Sequence, residues 1–463
     1  MNWSMSMRIV NVPFAFLVAI GVSSTLFAPG LSVIQARPQD PPAQPQVKPR
    51  REVPAARYSL QIPPAIQRDE ILRYATILKL DEMQMTALVL FYDEYRENGE
   101  QQRSELLAPL WERSIDLAAE RSAHREGLEA VAYARDVADL MRDARLAAAD
   151  LAKLDDELLG EIESILLDED QLPFLERVRQ QRQRIRWNEF LSLYRMGRID
   201  LTLLLSGLPE LDTLGESAQQ ELDELLAAYD RDITPLSKRR YKAVVKITLE
   251  VPVLKAPFRM SGADIDPEAL EQLSVQFEEV LKKVARLNRA HIRPAKRIHT
   301  LNRQYLASIV ALLPTPAGVE LQRRFREQAY PSIYPNRFDV SDLLRASLEV
   351  EDLTTDQRTV IHATLVNYTQ RNEQACEKME RRYQSWLEFM AEKGQKPRDK
   401  VDAYETDMRR FDTMRQEAAV NAIALLKATL LPPQLQEIAQ MMLETEQRFL
   451  IGEKDREWRL LHG

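Results

Sequence analysis

The residues of this chain that could do chemistry are few and far apart. There are five histidines, His124, His291, His299, His362 and His462, and one cysteine, Cys376. His291 and His299 are the nearest pair, and their spacing of eight is too wide on a helix for one metal ion. One cysteine cannot anchor zinc or form an intrachain disulfide. It falls on an apolar stripe with Tyr368, Met379 and Tyr383, where a buried thiol is expected. No HExxH, CxxC, EF-hand loop, P-loop, GxGxxG or serine nucleophile elbow occurs, in keeping with only 13 glycines. The expectation is a non-enzymatic protein with no metal and no cofactor.

The other chemistry the residues offer is charge. Lys282, Arg289, Lys296 and Arg303 recur every seven residues, with Arg286 and Arg293 between them. No acidic residue stands between Glu279 and Glu320, so the usual i,i+4 partners are missing. Val284, His291, Ile298 and Tyr305 form an opposite, apolar stripe. Either the basic face is simply solvated, or its charge is met by another part of the chain or by an anionic partner. These six residues are the candidate anion-binding face. A net charge of −8 argues against a dedicated nucleic-acid binder.

The elements that must carry these residues read as helices throughout. Leu353-Thr354-Thr355-Asp356-Gln357 has the logic of a helix start: Thr354 as N-cap, Gln357 closing a capping box, and Leu353 placed to staple the first turn. Ile361 and Tyr368 follow at helical spacing. Leu80, Leu88 and Tyr95 repeat the offsets of Leu353, Ile361 and Tyr368, as do Leu214, Leu222 and Tyr229. Gln84 matches Gln357, whereas the middle copy has Ala218 there and Gln219 one place later. Leu166-Leu167, Leu312-Leu313-Pro314 and Leu430-Leu431-Pro432 close the three stretches. The expected architecture is all-α: long antiparallel helical hairpins in three tandem repeat modules, 66–198, 199–335 and 336–463.

Within these modules, Pro109 is expected to end a helix, with breaks at Gly127 and Gly160. The stretch from Leu172 to Arg198 carries seven arginines against two glutamates, read as a solvated helix face. Val244 to Val253 alternates like a strand but is read as a helix end followed by a loop through Gly262. Asp266-Pro267-Glu268 restarts a helix, which Pro294 should kink. Thr355 to Lys393 contains no Gly or Pro and reads as one helix, with a second from about Asp399 to Leu430 returning beside it. Leu365, Tyr368, Met379, Tyr383, Trp386 and Met390 must then pack on a neighbour. A closing helix after Pro432-Pro433 carries Met441, Met442, Phe449 and Trp458.

The N-terminus differs. Arg8 precedes an uncharged apolar run to Phe27, with Ala36 as a candidate cleavage position, so 1–36 reads as a secretory signal or an uncleaved inner-membrane anchor. Residues 37–65, rich in Pro, Gln and Arg, read as a disordered linker.

Leu353-Thr354-x-x-Gln357, its degenerate copy Leu80-Asp81-x-x-Gln84, and Gln171 and Gln434 after the paired leucines resemble the LTxxQ-motif periplasmic proteins of the Spy and CpxP type. The resemblance implies an exported, all-helical, non-enzymatic protein that binds unfolded clients or envelope proteins, chaperone-like or as an envelope-stress adaptor. That family is usually a single module with a basic concave face, and this chain departs in both respects. A structural spacer or scaffold of the envelope, and a sensor of anions or membrane surface through the 282–303 face, are the alternatives.

Overall fold

The computed structural model describes residues 60, 62–120, 127–190, 197–208, 211–258, 267–334, 338–394 and 397–449. Among them every regular element is helical. The expected signal segment, most of the expected linker, His124, His462, Trp458 and the loop reaching Gly262 lie outside these residues.

The first hairpin pairs α2 (Glu82–Glu120) with α3 (Gly127–Ser164). Tyr133 donates to the Leu117 carbonyl at 2.8 Å, and Gln84 reaches the Ile165 carbonyl at 2.8 Å, so the helices run antiparallel. Ahead of it, α1 (Arg68–Leu78) buries Ile71, Tyr74 and Leu78 against Leu88, Leu158 and Ile162, and against Leu175 and Val178 of α4 (Leu172–Phe190). The second hairpin pairs α6 (Glu216–Lys255) with α7 (Pro267–Leu312). Short α5 (Leu201–Leu205) and α8 (Thr315–Ala329) close its core, where Leu204, Leu222, Tyr229, Ile233, Ile298, Ile309, Leu321 and Phe325 pack together.

The third hairpin pairs α10 (Thr355–Lys393) with α11 (Arg398–Thr429). The absence of Gly and Pro between 355 and 393 set the bounds of α10 correctly. Trp386 stacks on Tyr404 with centroids 5.2 Å apart, Arg382 pairs with Asp407 at 2.8 Å, and Met379 and Tyr383 join the core around Tyr229. Most of a helix's stability in a folded protein comes from packing of its apolar face; these contacts are what α10 packs on. After α9 (Ser341–Leu348), and beyond α11, come α12 (Pro432–Glu437) and a helical run over 439–449.

The chain forms two compact units. One takes the described residues of Val53–Asn336 and Val366–Ala422; the other takes those of Arg337–Leu365 and Ile423–Gly463.

Several local expectations are corrected. Pro109 does not end a helix: α2 runs through it. Leu107, Leu110 and Trp111 on either side pack with Ala147, Leu151 and Ile62, and burial on this scale offsets the cost of about 3 kcal/mol for an interior proline. Gly160 likewise sits inside α3. The valine-rich stretch stays helical to Lys255, with Pro252 inside. Its apolar residues belong to a helix packed against both α3 and α7, with Val244, Val245 and Ile247 all buried. The linker ends earlier than expected. Leu60 is only 1% exposed among Leu117, Tyr133 and Leu140, and Arg103 donates to the Pro63 carbonyl at 2.8 Å.

Candidate functional site

The residues of the repeated motif meet in two glutamine clasps. In the first, Asp81 and Gln84 form a reciprocal cap: Gln84 N donates to Asp81 Oδ1 at 2.8 Å, and Asp81 N donates to Gln84 Oε1 at 3.0 Å. Gln84 Nε2 then donates to the Ile165 carbonyl at 2.8 Å and to Gln171 Oε1 at 3.3 Å. Gln171 Nε2 returns to Gln84 Oε1 at 3.4 Å and to the Leu78 carbonyl at 3.1 Å. Asp168 N completes the set by donating to Gln171 Oε1 at 3.4 Å. Each amide thus uses both N–H donors and both acceptor positions. Three helix ends are tied together: the start of α2 and the ends of α1 and α3.

The second clasp is built the same way in the smaller unit. Thr354 N donates to Gln357 Oε1 at 2.9 Å and Gln357 N to Thr354 Oγ1 at 3.2 Å, the capping box expected from sequence. Gln357 Nε2 donates to the Thr429 carbonyl at 2.9 Å and to Gln434 Oε1 at 3.0 Å. Gln434 Nε2 answers to Gln357 Oε1 at 3.4 Å and to the Asp352 carbonyl at 3.1 Å, while Leu431 N donates to Gln434 Oε1 at 2.9 Å. A glutamate would lack the donors and an asparagine the reach. Leu80 and Leu353, both half-buried, each follow a non-glycine residue in the left-handed region, Lys79 at φ 53° and Asp352 at φ 58°. Among the described residues these are the only two non-glycine residues with positive φ.

The middle stretch shows no glutamine pair among its described residues, but shares a second device with the first. Tyr95 accepts from Ile66 N at 3.1 Å and donates to Asp155 Oδ1 at 2.6 Å. Tyr229 accepts from Leu201 N at 2.9 Å and donates to Asn302 Oδ1 at 2.9 Å. In both, the tyrosine fifteen residues into the motif fixes the preceding segment to the returning helix.

The arginine-rich helix α4 is corrected from a solvated face to a buried ionic seam. Arg182 and Arg184 are each only 1% exposed. Arg182 faces the first hairpin, with Asp155 at 2.8 Å, Glu70 at 3.4 Å and the Pro64 carbonyl at 2.5 Å. Tyr74 donates to the same Glu70. Arg184 faces the second hairpin, with Asp200 at 2.7 Å and Asp230 at 2.6 Å. Burial disfavours its charged form, but Asp200 and Asp230 outweigh it and hold the guanidinium above its ordinary range. Arg177 adds a second cation to Asp230 at 3.3 Å. One signal in the sequence pointed here: Asp200 stands alone between Ile199 and Leu201-Thr202-Leu203-Leu204-Leu205, where a charge needs a partner.

The six basic residues of α7 have mixed fates. Arg289 Nη1 donates to the Lys393 carbonyl at 2.9 Å and Arg293 Nε to the Ala391 carbonyl at 3.1 Å. Together with Asn288 on the Gly394 carbonyl at 3.0 Å, they cap the C-terminus of α10, where unpaired carbonyls and the helix dipole favour cations. Gly394 (φ +68°) lies so close to α7 that a Cβ would stand 2.2 Å from the Ala285 carbonyl oxygen. Lys296 pairs with Glu388 at 3.1 Å and Lys282 with Glu279 at 2.7 Å. Arg286 and Arg303 are exposed and make no ion pair among the described residues.

His299 Nε2 lies 3.2 Å from Tyr330 Oη, which accepts from Gln384 Nε2 at 3.2 Å. Burial, with Arg303 adding to it, pushes the His299 pKa down to about 4; burial and Arg240 push His291 to about 3. Cys376 is buried, and burial raises its thiol pKa. No cluster of three or more His, Cys, Asp or Glu suited to a metal ion occurs among the described residues. None of their helices is long and apolar enough to cross a membrane. No family profile, curated protein or solved structure matches the chain.

Proposed function

We propose that the chain is an exported, non-enzymatic helical binding protein, chaperone-like or an envelope-stress adaptor, built from three degenerate tandem modules. The observation that carries this reading is the duplicated glutamine clasp. It joins the residues of the LTxxQ resemblance, Gln84 with Gln171 and Gln357 with Gln434, in one hydrogen-bond pattern at two places in the chain. The tyrosine device of Tyr95 and Tyr229 supports the middle stretch as a third, diverged copy. Solvent-exposed apolar side chains stand beside each clasp: Leu167 (76% exposed) and Leu431 (59%), the second leucines of their closing pairs. In this reading the two leucines are contact points for unfolded segments. Stoichiometric purified protein should slow the aggregation of an unfolding client, and Leu167→Ser/Leu431→Ser should weaken that effect. No effect on several clients would dismiss the reading. Export is tested separately, by fractionating cells that express the tagged full chain.

A spacer or scaffold of the envelope is the second reading, favoured by the buried ionic seam of α4, which ties successive hairpins together. A rigid, extended particle in small-angle scattering, with no client protection, would select it.

A further inference from the structure

We propose that the α6–α7 hairpin carries a docking surface for a linear phosphate-bearing polyanion, centred on Lys238, Lys242 and Lys246 of α6. The α7 stripe was legible in the sequence; a second acid-free basic face emerges only once residues 216–255 form one helix. Residues 233–249 contain no Asp or Glu, and neither do residues 280–319. The antiparallel pairing of α6 and α7, fixed by Tyr229 on Asn302 and Lys283 on Glu250, lays these two acid-free stretches alongside each other. Within 233–249 the exposed positions are Pro235, Lys238, Arg239, Lys242 and Lys246, so the outward face is basic along its length. None of its four cations makes a hydrogen bond or ion pair among the described residues, and neither do exposed Arg286 and Arg297 on α7. In a chain of net charge −8, an uncompensated row of four cations on one helix face is a local reversal of sign.

The geometry selects the class of partner. Lys238, Lys242 and Lys246 follow one another at i,i+4, about 6 Å per step along one face, which suits charges repeated along an extended chain. The exposed positions of this face include no large apolar residue. A protein partner needs an apolar interface core, and a surface-lying membrane helix needs apolar residues to insert. Neither is offered here. This surface is independent of the client-binding reading, and the two can fail separately.

The test is fluorescence anisotropy of labelled inorganic polyphosphate with the full chain across a salt series. Wild type should bind at 50 mM salt and weaken steeply as salt rises. Lys238→Glu/Lys242→Glu/Lys246→Glu should weaken binding at least tenfold and lower the slope of log affinity against log salt by about two. The neutral Lys238→Gln/Lys242→Gln/Lys246→Gln should give an intermediate loss and covers the case in which charge reversal perturbs folding. Reversal at Arg142 and Lys153 on α3 should leave binding unchanged. The proposal is overturned by absence of polyphosphate binding at low salt, by wild-type binding in the glutamine variant, or by binding only to phosphatidylglycerol vesicles.

Discussion

Two helices of this protein are rich in arginine, and they use it in opposite ways. On α4, Arg182 and Arg184 are among the most buried side chains of the molecule, each answered by carboxylates brought from distant segments. On α7, the cations stay nearer the surface. Arg289 and Arg293 are answered by backbone carbonyls at the end of α10, and Lys296 by a single exposed glutamate. Local sequence made the α7 face the more unusual of the two. What separates them is the environment each arginine enters. A guanidinium taken out of water needs full neutralisation, whereas one at the rim needs only a carbonyl or solvent.

The sharpest way to break this comparison is to remove one cation from each helix. Arg184→Met removes the cation paired with Asp200, leaves Asp230 with Arg177 alone, and should cost about 3–5 kcal/mol in urea unfolding. Arg289→Met should cost under about 1 kcal/mol, since the carbonyl it leaves can turn to water. Equal losses would show that burial does not divide the two helices. Gly394→Ala comes next, on the α7 side. It needs a left-handed backbone and a Cβ placed 2.2 Å from the Ala285 oxygen, so a loss of about 2–4 kcal/mol is expected. A thermal scan that shows no change would mean that α10 does not press on α7 here.

The clasps give a smaller, internally controlled effect. Gln84→Ala leaves the Ile165 carbonyl and the Gln171 amide short of partners and should cost about 1–3 kcal/mol. Gln357→Ala should cost less, because Gln357 is only half-buried whereas Gln84 is buried. A double-mutant cycle of Gln84 with Gln171 should show strong coupling, and simple additivity would mean that the amide pair is incidental.

The mildest test is pH. Both buried imidazoles titrate below the ordinary histidine value, so the unfolded chain binds protons more readily than the folded one over that range. Stability is therefore complete above about pH 6.5. It falls as pH drops towards about 4 for His299 and about 3 for His291. His299→Gln should flatten the upper part of that decline, as read from urea midpoints between pH 7 and 4. A curve identical to that of wild type would place its source elsewhere.

The caps were readable in the sequence because capping is local. Thr354 and Gln357 need only three residues of separation to find each other. The clasp needed more, since Gln357 reaches Gln434 only once α11 has returned the chain. Pro109 and Pro252 misled for the complementary reason: they carry a local cost that packing with α3 and α7 outweighs.

By itself, the sequence determined the helical class, the bounds of α10, the start of α7 and the capping box at Thr354 and Gln357. Each of these rests on spacing within one helix or on a missing donor or side chain. Tertiary structure alone decided which charges are buried. Arg182 and Arg184 are buried because Asp155, Asp200 and Asp230 arrive from three other segments, and no periodicity along α4 encodes that meeting. The desolvation of a charge depends on everything that surrounds it, and most of what surrounds these arginines is distant in the chain.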